Sequence, residues 1–170
     1  MDSLKRLIRD IPDFPVKGII FKDITPLLRD AEALRSATDA IAEHFRDRGV
    51  TCVCGMEARG FIFGTAIAYA LGVGFVPLRK PGKLPYETES VSYQLEYGTA
   101  TLEIHKDAVG PNDRVLMVDD LLATGGTMAA SCRLVQKLGA RVEACAFVVE
   151  LTFLGGRDKL DAEVVSLIRY

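Results

Sequence analysis

The stretch that most constrains this chain is Val115-Leu-Met-Val-Asp-Asp-Leu-Leu-Ala-Thr-Gly-Gly-Thr127, where an apolar run meets two adjacent carboxylates and then a glycine-threonine turn. Residues 115–118 are short, apolar and partly β-branched, as a strand covered on both faces of a parallel sheet must be. Asp119 and Asp120 follow at its C-terminal edge. Two neighbouring ionised carboxylates repel each other and are costly to bury, so they require partners that donate hydrogen bonds or carry positive charge. A vicinal sugar diol is such a partner. The glycines of Ala123-Thr-Gly-Gly-Thr127 accept φ > 0, and the turn gathers backbone N–H groups at the start of the next helix. A phosphate held there also receives the hydroxyls of Thr124 and Thr127. Each charge-assisted bond contributes about 1.5–3 kcal/mol, against roughly 0.3–1 kcal/mol from the helix dipole, so directed bonds dominate. No Lys follows the second glycine and the three-glycine spacing is missing, so the turn matches neither the triphosphate loop nor the dinucleotide fingerprint.

The rest of the composition narrows the setting. With 170 residues, 49% of them hydrophobic, the chain is expected to fold as a single domain over 1–170. Its net charge of −2 argues against a nucleic-acid surface, so an anion site must be local. No segment approaches the ~18–20 apolar residues of a membrane span, and the first ten residues lack a secretory apolar stretch, so a cytoplasmic protein without a membrane partner is expected. Of the four cysteines, Cys52 and Cys54 fall in an apolar strand pattern, Cys132 on the apolar side of a helix and Cys145 in another strand-like run. They are read as reduced core residues, with no disulfide framework or metal cluster.

Periodicity supplies the elements. Leu34, Ala37, Ile41 and Phe45 recur at steps of three and four, predicting a helix over 32–48 that Gly49 ends. Residues 50–56 read as a strand, 61–71 as a helix apolar nearly all round and hence deeply buried, and 75–78 as a second strand. A second βαβ unit takes 114–118, a helix over 127–138 with Met128, Cys132, Val135 and Leu138 inward, and 142–150. Residues 164–168 close the sheet. Alternating strands and helices imply a parallel sheet with functional loops at its C-terminal edge. Residues 11–30, punctuated by prolines, read as a cap, and 90–94 with 99–105 as a hairpin long enough to close over a ligand. His44 and His105 are read as non-catalytic, and His44 as exposed.

The order strand, Asp-Asp, Ala-Thr-Gly-Gly-Thr resembles the phosphoribosyl pyrophosphate (PRPP) motif of the type I phosphoribosyltransferases. That resemblance implies an α/β fold of this type, with a central, mostly parallel sheet flanked by helices, a small hood over about 1–30 and a flexible catalytic hairpin over about 81–112. It also implies that Asp119 and Asp120 contact the ribose hydroxyls while Ala123, Thr124, Gly125, Gly126 and Thr127 wrap the 5′-phosphate.

Three further segments carry the likeness. Gly55-Met-Glu-Ala-Arg-Gly-Phe61 places Arg59 at a helix mouth; read alone it is an anion ligand or a surface partner of Glu57. It resembles the pyrophosphate loop of the family's adenine-specific branch, which implies that Arg59 binds pyrophosphate. Arg79-Lys-Pro-Gly-Lys-Leu-Pro85 is, alone, a solvated basic loop as often as a site; the resemblance implies that its cations, Arg79 and Lys83 foremost, neutralise pyrophosphate, some across a dimer interface. The segment 14–26 is similar to an adenine-binding hood, implying contacts from Ile20, Phe21 and Lys22, with Lys22 standing where the family usually has Arg. Residues 92–98 and 102–106 match the catalytic loop, implying that Glu96 and Tyr97 sit at its tip and that Glu96 moves a proton or steadies positive charge.

Together these imply transfer of the 5-phosphoribosyl group from PRPP to adenine, giving AMP and pyrophosphate, with Glu96, Arg59, Asp119 and Asp120 as the catalytic set. They further imply a homodimer, and Mg²⁺ carried mainly by PRPP rather than by dedicated protein ligands. Two alternatives stay open from the residues: a phosphoribosyltransferase for a 6-oxopurine or orotate, and a non-catalytic PRPP-sensing regulator on the same fold.

Overall fold

Five parallel strands make the central sheet, in the order Gly74–Leu78, Cys52–Met56, Arg114–Leu122, Arg141–Glu150 and Glu163–Arg169. In this computed structural model, which describes residues 2–94 and 98–170, the chain opens with α1 (Asp2–Lys5), β1 (Arg9–Pro12), β2 (Ile20–Asp23) and α2 (Thr25–Arg29). It continues through α3 (Ala31–Phe45), β3 (Cys52–Met56), α4 (Arg59–Leu71) and β4 (Gly74–Leu78). An antiparallel hairpin follows, β5 (Thr88–Gln94) with β6 (Thr99–His105), then β7 (Arg114–Leu122), α5 (Gly126–Lys137), β8 (Arg141–Glu150) and β9 (Glu163–Arg169).

The helices form where local chemistry starts and stops them. Asp30 caps α3, its carboxylate accepting the Ala33 N–H at 2.9 Å, a cap contributing about 1 kcal/mol. The helix ends earlier than its apolar pattern suggested, at Phe45, and the chain turns through residues 46–49. Strand alternation then splits the core between the two sheet faces. Val53, Leu116, Val118, Ala144 and Ala146 pack under α3 and α4 against Ile41, Phe45, Phe63 and Ile67. Cys52, Cys54, Val115, Met117, Cys145 and Phe147 face the other way, beneath Met128, Leu134 and Val135 of α5 and Leu102 and Ile104 of the hairpin.

Two expectations change here. The helix α4 is not buried all round: Gly60, Phe63, Gly64, Ile67 and Ala68 are buried, whereas Ile62 is 43% and Tyr69 90% exposed. Sheet and α3 cover one face of it, and its apolar outward face has no cover among the described residues. The strand expected over 114–118 runs on to Leu122, because the long β8 keeps pairing with it through Leu121↔Val149 and Leu122↔Glu150. The two aspartates therefore lie within a strand and not beyond its end. On α5, Met128 and Val135 are buried as expected, Cys132 and Leu138 only partly, and Ser131 and Leu134 complete the inner face.

The hairpin β1–β2 forms the hood, paired from Arg9↔Asp23 to Pro12↔Ile20. Hairpin β5–β6 lies over α5, where Tyr93 Oη stands 3.2 Å from Thr127 Oγ1. No described helix is long and apolar enough to cross a membrane.

Candidate active site

At the C-terminal ends of β3 and β7 the chain makes three adjoining hollows that share side chains. The smallest, about 90 Å³, lies in the turn after β7 and is lined by Asp119, residues 121–128 and Phe147. Gly125 takes φ +76° there, and α5 starts at Gly126. The first N–H groups of a helix have no intrahelical acceptor and so face outward as donors. The Thr124 and Thr127 side chains belong to the same lining. The turn thus has the donors an anion needs.

Towards the hood the turn opens into a cavity of about 690 Å³, lined by residues 19–22, Arg59, Gln94, Ala123, Thr124, Gly126 and Thr127, with Leu151, Leu154 and Lys159. Phe21 supplies its aromatic wall. Phe14 meets that ring edge-on at 5.2 Å, and the Arg59 guanidinium carbon lies 5.1 Å from its centroid. Ile20 is exposed beside it. Lys22 lines the cavity, but its ammonium is held by Asp10 at 2.6 Å and sits 3.8 Å over the Tyr170 ring. That pairing turns the Lys22 charge away from a bound base.

The third hollow, about 380 Å³, takes the aspartates and the loop after β3: Met56 to Arg59, Lys80, Pro81, Tyr93, residues 100–102, Asp119, Asp120 and Thr127. Arg59 and Thr127 border both large cavities. A ligand with a base at one end and a diphosphate at the other would straddle those two residues.

The electrostatics are those of a site arranged for ligand. Burial, then the charge of Asp120, push the Asp119 carboxyl well above the usual carboxylate range. Burial also raises Asp120, against the pull of Arg59. Asp120 is 3% exposed, and its Oδ2 makes no hydrogen bond although Arg59 Nε is 3.0 Å away. Buried acceptors are normally bonded, so an orphan beside a cavity marks a place for an incoming donor. Glu57 behaves in the opposite way. Hydrogen bonds from Arg79 and from the Lys80 N–H hold its carboxyl below the ordinary range.

The predicted residues divide accordingly. Residues 20–22, Arg59, Asp119, Asp120 and 123–127 are brought together around the connected hollows. Arg59 pairs with Asp120 and not with Glu57. The partner of Glu57 is Arg79, whose Nε lies 3.1 Å from it and whose Nη1 donates to the Lys83 carbonyl at 3.3 Å. Among the described residues, neither Arg79 nor Lys83 lines these three hollows; of the three cations in that loop, Lys80 does. Glu96 and Tyr97 lie outside the described residues. Sequence reasoning did not single out Tyr93, Leu151, Leu154 and Lys159. Strand alternation places Tyr93 on the inner face of its hairpin, but nothing in the local pattern brings residues 151–159 to a turn about thirty positions earlier.

With this geometry in hand, comparison with known proteins is direct. Residues 24–168 match the phosphoribosyl transferase domain family. The adenine phosphoribosyltransferase of Nitrosococcus oceani is 61% identical, covering all of both chains. The crystal structure of adenine phosphoribosyltransferase from Thermoanaerobacter pseudethanolicus superposes with a TM-score of 0.97 at 56% identity, covering 99% of each chain. The Saccharomyces cerevisiae adenine phosphoribosyltransferase, crystallised with adenine and an imino-altritol bisphosphate, gives 0.94 at 42% identity, covering 98% of this chain and 97% of that one. The chain belongs to the phosphoribosyltransferase family, in the branch of the adenine phosphoribosyltransferases.

Proposed function

We propose that this enzyme transfers the 5-phosphoribosyl group of PRPP to adenine, releasing pyrophosphate and forming AMP. The observation that carries this reading is the sharing of Arg59 and Thr127 between the hood cavity and the aspartate cavity. Family membership adds the reaction class.

In this reading residues 123–127 hold the 5′-phosphate with backbone N–H groups and the hydroxyls of Thr124 and Thr127. Asp119 and Asp120 accept hydrogen bonds from the ribose hydroxyls, which supply the donor that Asp120 Oδ2 lacks. Once ionised there, they stabilise the positive charge that grows on the ribose as the C1′–O bond to pyrophosphate breaks and the bond to the purine nitrogen forms with inversion. Arg59 and Lys80 face the departing pyrophosphate. Phe21, Leu151 and Leu154 enclose the base, and hood backbone groups read its edge. The 6-amino group of adenine donates where a 6-oxopurine would accept, so a site built for one leaves buried groups unpaired with the other. Glu96 serves as the acid-base group and Tyr97 as a substrate-binding residue, as the family likeness implies.

Among the described residues no three His, Cys, Asp or Glu side chains cluster as a metal cage. A pair of aspartates beside a diphosphate site fits Mg²⁺ held chiefly by substrate oxygens, where it would neutralise charge on the leaving group. The exposed apolar face of α4, with Ile62 and Tyr69, suits pairing with a second copy of the chain; a sedimentation mass of one chain would remove that assembly.

The deciding experiment is pyrophosphate release from PRPP with adenine, hypoxanthine and orotate offered separately. Release with adenine is expected. Equal use of hypoxanthine would overturn the base assignment, and no release with any base would overturn the reaction.

A further inference from the structure

Behind the phosphate turn lies a polar cluster that the reaction scheme leaves unused. Glu150, at the end of β8, is 3% exposed. Arg157 grips it with two bonds, Nη2 to Oε2 at 2.6 Å and Nε to Oε1 at 3.0 Å, while the Ser166 hydroxyl donates to the same Oε2. Arg157 Nη1 also donates to the Val164 carbonyl at 2.8 Å. These bonds pin the short helical turn Gly156–Lys159 against the end of β8 and the first half of β9. The Arg157 bonds, assisted by Ser166, keep the Glu150 carboxyl below the ordinary range.

Gly156, next to Arg157, is buried and its backbone lies directly on the phosphate turn. A Cβ on Gly156 would stand 2.9 Å from Gly125 N and would collide with the Ala123 carbonyl. A Cβ on Gly125 would collide in turn with the Gly156 carbonyl. Neither backbone stretch can shift toward the other.

We propose that Glu150, Arg157 and Gly156 form a positioning device for the 5′-phosphate turn, setting the aim of its N–H donors through backbone contact at Gly156. The proposal rests on the assignment of the 5′-phosphate to that turn. A cradle of donors stabilises an anion only when the donors are aimed before the ligand arrives, and an error of about 1 Å costs on the order of 10²-fold. A loop alone does not hold such tolerances. Glu150 is buried with both oxygens bonded, while the Arg157 side chain is 37% exposed; bonds on a buried carboxylate favour one geometry of the groups that make them.

Full-length Glu150→Gln and Gly156→Ala test this by titration with ribose 5-phosphate and, separately, with pyrophosphate, whose contacts lie across the site. Affinity for ribose 5-phosphate is expected to fall roughly tenfold or more, with pyrophosphate affinity and the circular dichroism spectrum unchanged; KM for PRPP should rise more than kcat falls. Equal weakening of both ligands, or unaltered ribose 5-phosphate affinity, would overturn the proposal. If Gly156→Ala does not fold, Glu150→Gln, which keeps the side-chain shape, decides. Amide shifts of residues 124–127 in the unmodified chain separate the two levels. If ribose 5-phosphate does not move them, the site assignment fails; if it does and the variants bind normally, the positioning role alone fails.

Discussion

Arg59 Nε lies 3.0 Å from Asp120 Oδ2, so the cation of the loop after β3 stands against a carboxylate of β7. The contact lacks hydrogen-bond alignment and leaves that oxygen orphaned. Ligand is expected to exchange this contact. Ribose hydroxyls would take over the carboxylate and the diphosphate would take over the guanidinium.

This predicts that Asp120 costs the free protein stability. Its carboxyl is raised by burial, so the folded state binds the proton more tightly than the unfolded chain, and stability falls as pH rises from near the ordinary value of 3.8 through the raised pKa. Asp120→Asn removes that loss. Its thermal midpoint should match the parent in acid and exceed it at neutral pH by on the order of 2–4 °C, while turnover drops about 10²-fold. Calorimetric melts of both proteins across pH check this; a variant no more stable at neutral pH refutes it.

The two glycines of the turn should respond differently. Gly125 has φ +76° and no room for a Cβ, so Gly125→Ala costs at least the left-handed penalty of about 1–2 kcal/mol and is expected to weaken ribose 5-phosphate binding as well. The strain expected at either glycine falls on Gly125. At Gly126 the nearest atoms to a Cβ are 3.8 and 4.0 Å away, and Ala is the better helix former, so Gly126→Ala should leave stability within about 1 kcal/mol of the parent. Because Gly126 lines the cavity, the added methyl should still weaken ribose 5-phosphate binding. Urea unfolding paired with ligand titration separates the two effects; equal destabilisation by both would contradict the geometry.

Lys80 and Arg79 also divide. Lys80 borders the aspartate cavity, whereas Arg79 is committed to Glu57. Lys80→Met should raise the Kd for pyrophosphate about tenfold, the loss of one charge-assisted contact, and flatten its salt dependence. Arg79→Met should affect pyrophosphate less. Titrations at two ionic strengths give the answer, and a larger effect at Arg79 would show that the Glu57 pair opens on binding.

Much of this was written in short-range patterns. Period-2 and period-3.6 alternation depends only on neighbours along the chain, so α3 to α5, β3 to β9, the β5–β6 hairpin and the parallel order of β3, α4 and β4 were legible in outline, whereas the ends of α3 and β7 and the short elements within residues 2–29 were not. The Asp119-Asp120 pair and the turn at 123–127 were equally legible, because their chemistry is contiguous and demands a ligand. Tertiary structure decided the rest. Whether Arg59 meets Glu57 or Asp120, whether Arg79 or Lys80 faces the cavity, and which face of α4 stays bare depend on where separate elements come to rest. The contact of Gly156 with Gly125 depends on the path of β8 and β9 across the sheet. Such pairings join residues far apart in sequence, and packing, not periodicity, selects among the partners available to each charge.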